Sequence, residues 1–73
     1  MEQKILEMMR TVFQTEGLDE TCSQNNCRKW DSMNHLNLVV ELEMAFGVSL
    51  EPEEIAMMRS YDDVVRIIKN KLS

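Results

Sequence analysis

The sequence predicts an all-α fold, a small four-helix bundle with three main helices plus one short third helix, and three observations carry that expectation. Apolar residues recur at three- and four-residue steps near both ends and in the middle of the chain. No segment alternates with the two-residue period of a strand. Gly, Pro and Ser residues stand between the periodic stretches, where helices start and stop. The 73 residues make a single domain, residues 1–73. A chain of that length keeps only about 3 to 5 kcal/mol of net stability, and it has little room for a deep catalytic pocket.

Each element has its own signature. Ile5, Leu6, Met9, Val12 and Phe13 mark an amphipathic helix over about residues 2–15, with Gly17 placed to stop it. Residues 16–30, EGLDETCSQNNCRKW, are polar and aperiodic. They read as a long loop pinned by Leu18 and Trp30, either functional or a spacer that lets two helices cross. The second helix is expected from Ser32 to Phe46, with Gly47 as its left-handed stop. Ser49 or Glu51 precedes Pro52 at the start of the short helix, whose first turn holds Glu53 and Glu54, favourable to the helix dipole. Ser60 is placed to cap the last helix, with Asp63 reaching back to it as a capping-box partner. Val64, Val65, Ile68 and Leu72 form the expected buried stripe, and Lys69 and Lys71 suit the C-terminal end.

Charge excludes several function classes. The net charge is −5, and residues 31–63 concentrate eight acids against Arg59 alone. Such a segment repels phosphate backbones and attracts basic partners, so no nucleic acid is expected. No apolar run approaches the roughly 20 residues of a membrane span. The first ten residues carry Glu2 and Glu7 and lack a small-residue cleavage site, so a cytoplasmic protein is expected. Cys22 and Cys27 then read as free thiols. With His35, the single histidine, they lack the fourth ligand and paired spacing of a structural zinc site, so no metal is expected. Ser32 has His35 one turn away but no third group to orient it, so no catalytic residue is assigned. The acids do not follow the calcium-loop pattern, and two glycines make no phosphate-cradling loop.

The second helix is apolar on two sides. At about 100° per residue, Leu38, Leu42, Phe46, Val39, Ala45 and His35 share one side, and Met33, Leu36, Val40 and Met44 share the other. A bundle this small covers one of them. The larger set, with Phe46, is assigned to the core, leaving the Met-rich stripe at least partly exposed. Methionine is flexible and polarizable, suited to partners of varied shape. Glu41, Glu43 and the acidic third helix lie nearby in sequence, giving an apolar patch with a charged rim, the layout of a docking surface. Asp31 and Ser32 stand at the N-terminal end of the same helix. Such residues are commonly caps for free backbone amides. The same position favours an anion, whether a phosphate or a phosphodiester on Ser32.

Taken together, WDSMNHLNLVVELEMAFGVSLEPEEI and SYDDVVRIIKNKL resemble the acyl carrier proteins, including the discrete, stand-alone carriers of secondary-metabolite and surface-polysaccharide pathways. The resemblance runs over essentially the whole chain, and it implies a bundle of the acyl-carrier type. It implies that Ser32 carries 4′-phosphopantetheine, transferred from coenzyme A by a phosphopantetheinyl transferase, whose terminal thiol holds an acyl group as a thioester. Asp31 would help to position the transferase's metal. Met33 replaces the usual leucine. Glu41, Glu43, Glu53 and Glu54 fall where the family presents acids to the basic docking surfaces of acyl-loading and acyl-transferring enzymes.

Three residues depart from fatty-acid carriers. Trp30 replaces a small residue before Asp-Ser, and Asn34 and Asn37 are neutral where acids are frequent. These favour a dedicated pathway over general fatty-acid synthesis. The expected protein is a monomeric, non-enzymatic carrier. Two alternatives remain: an aminoacyl or peptidyl carrier, and an unmodified helical adaptor in which Ser32 merely caps and the Met-rich stripe binds a partner helix.

Overall fold

The chain forms four helices, α1 (Glu2–Phe13), α2 (Ser32–Phe46), α3 (Pro52–Met57) and α4 (Tyr61–Leu72), of which α1, α2 and α4 pack apolar stripes around one core. The computed structural model describes residues 1–73. Ile5, Met9 and Phe13 of α1, Leu38 and Leu42 of α2, Met58, and Val64 and Ile68 of α4 are fully enclosed. Burying a side chain of this kind contributes about 1.5 to 3 kcal/mol each. Polar and charged side chains stay out of that core.

The helix ends show where local chemistry decides. α1 stops at Phe13, two residues before the sequence expectation, because Gln14 takes the left-handed conformation (φ 52°, ψ 46°). The amide of Thr15 then closes onto the carbonyl of Arg10 at 3.0 Å. Gly17 is therefore not the stop. At the end of α2 Gly47 fills that role as expected, with φ 64° and its amide donating to the carbonyl of Glu43 at 2.9 Å. Ser60 caps α4, its hydroxyl accepting from the amide of Asp63 at 3.1 Å. The carboxylate of Asp63 reaches one residue farther back than expected, to the amide of Arg59 at 3.2 Å.

Two assignments of apolar faces change. Along α4 the buried residues are Tyr61, Val64, Ile67 and Ile68, with Val65 half-buried and Leu72 exposed in the last turn. Phe46 and His35 of α2 are half-buried and Ala45 is exposed, so the inner face of α2 is narrower than the helical wheel suggests. The ring of Phe46 lies at the rim, under the ammonium of Lys4 at 5.3 Å.

The long loop is held from end to end. Leu18 and Trp30 are buried, as expected, and the Arg10 guanidinium donates to the carbonyl of Leu18 at 2.7 Å. In its middle, Ser23 pairs with Ser60 as an isolated antiparallel bridge. The amide of Gln24 donates to Arg59 and that of Tyr61 to Cys22, both at 2.9 Å. A two-residue pairing has no periodicity to read, and the sequence carries no sign of it.

α3 has no buried residue, and Ile55 is half-buried. Polar contacts fix it instead. Glu54 accepts from the amide of Glu51 at 2.8 Å and from the Lys71 ammonium at 2.9 Å, joining α3 to the end of α4.

Candidate functional site

Trp30 sets the position of the site. Its buried ring packs on Phe13 with centroids 5.1 Å apart, fixing the chain just before α2. The indole Nε1 donates to Nδ1 of His35 at 2.9 Å, and Nε2 of the same imidazole lies 2.8 Å from the carbonyl of Ile55. A neutral imidazole with its proton on Nε2 satisfies both partners. His35, assigned by the wheel to the core, thus joins the start of α2 to α3. The helical wheel missed this relay because one partner lies outside the helix. The signal in the sequence is a Trp five residues before a His, across a cap.

Asp31 is the cap of α2. Its backbone is extended (φ −95°, ψ −178°), and its carboxylate accepts from the amide of Asn34 at 2.9 Å. Ser32 is then the first residue of the helix, and it is exposed. Its hydroxyl makes no capping bond, so of the two residues Asp31 alone does the capping. The Asn34 side chain ties the first turn back to the carbonyl of Lys29 at 2.8 Å. A shallow depression lined by Gln24, Trp30, Asp31, Ser32, His35 and Leu36 lies beside the hydroxyl.

From Ser32 the Met-rich stripe runs outward along α2. Met33 is 74% exposed, Leu36 59%, Val40 52% and Met44 69%. Met57 of α3, which the sequence reading did not include, adds a further exposed methionine. The four glutamates of the expected rim divide into two kinds. Glu41 and Glu53 are exposed. Glu43 is half-buried and accepts from the amide of Leu50 at 2.9 Å, closing the turn after α2. Glu54 is half-buried and paired with Lys71, whose hydrogen bond, with that of the Glu51 amide, holds its carboxyl below the ordinary range. Of the four, Glu41 and Glu53 carry unengaged charges, whereas Glu43 and Glu54 also bond within the protein.

This arrangement holds no nucleophile–base pair, and the imidazole nearest Ser32 is engaged on both nitrogens. What it offers is an accessible hydroxyl on a fixed helix end. The early amides of a helix lack internal acceptors, so a phosphate ester on this oxygen sits in a favourable field.

No protein-family model matches the chain. A curated relative does: the chain is 32% identical over 72 residues to an acyl carrier protein homolog of Mycoplasma genitalium, covering 96% of this chain and 86% of that one. The fold is similar to the solution structure of a holo acyl carrier protein from Geobacter metallireducens, with a TM-score of 0.86 at 25% identity, over 97% of this chain and 84% of the other. It is also similar to the crystal structure of an acyl carrier protein from Thermotoga maritima, with a TM-score of 0.77 at 28% identity, over 96% and 84%. An exposed serine at the start of α2, a helical bundle of matching form and a relative aligned over nearly the whole length lead to one conclusion: this chain belongs to the acyl carrier protein family, and it is a carrier rather than an enzyme.

Proposed function

We propose that the protein holds an acyl intermediate on a 4′-phosphopantetheine arm attached through a phosphodiester to the Ser32 hydroxyl, and hands it to partner enzymes. The single observation that carries this reading is the exposure of Ser32 at a helix start that Asp31 already caps. A cap hydroxyl would be occupied, whereas this one is free to be esterified. The arm supplies a flexible thiol that carries the acyl group as a thioester. The chain supplies the rest. Asp31, Asn34 and the Trp30–His35 relay hold the attachment point, so that the reach and direction of the tether start from a defined place.

Docking falls to the exposed Met33, Leu36, Val40 and Met44, with Glu41 and Glu53 as free charges at the rim. Glu43 and Glu54 contribute to the field from their internal contacts. Partners are a phosphopantetheinyl transferase and acyl-handling enzymes with basic surfaces. Neutral Asn34 and Asn37, which bond to one another at 3.2 Å on the first turns of α2, support a dedicated pathway with its own partners. No helix is long and apolar enough to cross a membrane, and a cytoplasmic, monomeric carrier fits the reading.

The test is incubation of the full chain with coenzyme A and a broad-specificity transferase, followed by intact mass measurement. The wild type gains one phosphopantetheinyl group and Ser32→Ala gains none. A wild type left unmodified, or an alanine variant modified equally, overturns the proposal. Loading assays with adenylating and acyl-transferring enzymes then distinguish an acyl from an aminoacyl or peptidyl cargo.

A further inference from the structure

Two thiols on the long loop take no part in the carrier function, and they share one site. Cys22 belongs to the buried core, Cys27 is half-buried, and both are unbridged. The amide of Cys27 donates to the carbonyl of Ser23 at 2.9 Å, so the chain between them folds into a single tight turn. Both cysteines line one surface depression, at either end of that turn. Arg28 and Lys29 line the same depression. They are exposed, engage in no ion pair, and are the sole basic residues between positions 11 and 58 of an otherwise acidic stretch. Asp19 is the one acid on that wall, and its carboxylate is taken up by the amide and hydroxyl of Thr21.

We propose that Cys22 and Cys27 form a thiol–disulfide exchange site for small anionic disulfides of the glutathione disulfide class, drawn in by Arg28 and Lys29 and reduced as a Cys22–Cys27 bridge forms. The order of attack follows from accessibility. The Cys27 thiolate attacks one sulfur of the small disulfide, whose S–S bond breaks and releases one small thiol, leaving a mixed disulfide on Cys27. The Cys22 thiol gives its proton to solvent and attacks the Cys27 sulfur, expelling the second small thiol. Two protein thiols are oxidised and one small disulfide is reduced to two thiols.

Burial, with Cys27 beside it, pushes the Cys22 thiol up to about 12, which makes it a poor first nucleophile. Cys22, the more buried of the two, is placed to act second, as the resolving thiol. The chemistry does not involve Ser32, so it stands or falls separately from the carrier reading.

The experiment exposes the full-length folded protein to glutathione disulfide, quenches with iodoacetamide at intervals and records intact mass. The wild type is expected to lose the mass of two hydrogens, restored by dithiothreitol. Cys22→Ala and Cys22→Ser, checked for helicity by circular dichroism, should each accumulate one glutathionyl group on Cys27, and Cys27→Ser should remain unreacted over the same time. Reversing Arg28 and Lys29 to Glu should slow the reaction several-fold with glutathione disulfide and leave it unchanged with uncharged hydroxyethyl disulfide. The proposal is overturned if the wild type forms no internal bridge, if Cys27→Ser reacts as fast as wild type, or if charge reversal affects both disulfides alike.

Discussion

The indole of Trp30 and the imidazole of His35 are joined by a 2.9 Å hydrogen bond that spans the boundary between the long loop and α2. Because the other imidazole nitrogen meets the carbonyl of Ile55, three segments that meet beside Ser32 are fastened through one ring. Ser32 thus stands at the loop–helix junction that this ring locks to α3.

Trp30→Phe keeps an aromatic ring against Phe13 and removes the donor. Leaving Nδ1 of His35 without its partner should cost about 1 to 3 kcal/mol. Trp30→Ala should cost about 3 to 5 kcal/mol, since a large buried ring is lost as well. Urea denaturation of both variants checks the order. Equal losses would mean that the hydrogen bond contributes nothing beyond packing.

Asp31 and Ser32 should separate stability from function. Asp31→Ala removes the cap on the amide of Asn34 and should destabilise by about 1 kcal/mol. Ser32→Ala should change stability by less than about 0.5 kcal/mol, as expected for a surface substitution away from any cap, while abolishing modification. Thermal melts beside the labelling reaction make the comparison. An adaptor in which Ser32 caps the helix predicts instead that Ser32→Ala costs about 1 kcal/mol and leaves binding intact.

Glu41 and Glu43 are two residues apart and should respond differently to charge reversal. Glu41→Lys changes an exposed charge, so it should weaken modification by a basic transferase, less so at high salt, with little loss of stability. Glu43→Lys also breaks the bond to the Leu50 amide, and it should cost about 1 to 3 kcal/mol. Salt-dependent modification kinetics and denaturation on both variants check this.

The Lys71–Glu54 pair makes part of the stability depend on pH. Glu54 sits below its ordinary 4.5 because Lys71 and the Glu51 amide donate to it, and Lys71 is held above its ordinary 10.5 by Glu54. A depressed acid stabilises fully above its unfolded value and loses that contribution as pH falls through its folded value. A raised base stabilises fully below its unfolded value and loses it as pH rises through the folded one. The melting-temperature advantage of wild type over Lys71→Met should therefore be largest near neutral pH and shrink in acid below 4.5. A difference that stays constant far into the acid range would show that the pair is not coupled to titration.

Much of this was legible where the physics is local. Gly47 as a left-handed stop and the apolar stripe of α1 follow from neighbours in sequence, and the exposure of Met33, Leu36, Val40 and Met44 accords with helical periodicity. Gln14 was not legible, because a residue with a Cβ rarely takes the left-handed turn, and Gly17 nearby was the better-looking candidate. Leu72 looked like core by period, but it stands exposed in the last turn of α4. The site divides in the same way. Ser32 and Asp31 stood out in the sequence, whereas the bonding of Glu43 to Leu50, of Glu54 to Lys71 and of His35 to Ile55 depends on turns and distant helices that no periodicity reports.

The measurement that bears most directly on the central claim is tandem mass spectrometry of the protein as it is made in its own cells. The account predicts fragment ions that place a phosphopantetheinyl group on Ser32, with the peptide carrying Cys22 and Cys27 free of it. A chain recovered with Ser32 bare in every growth condition, or with the arm on another residue, would contradict it.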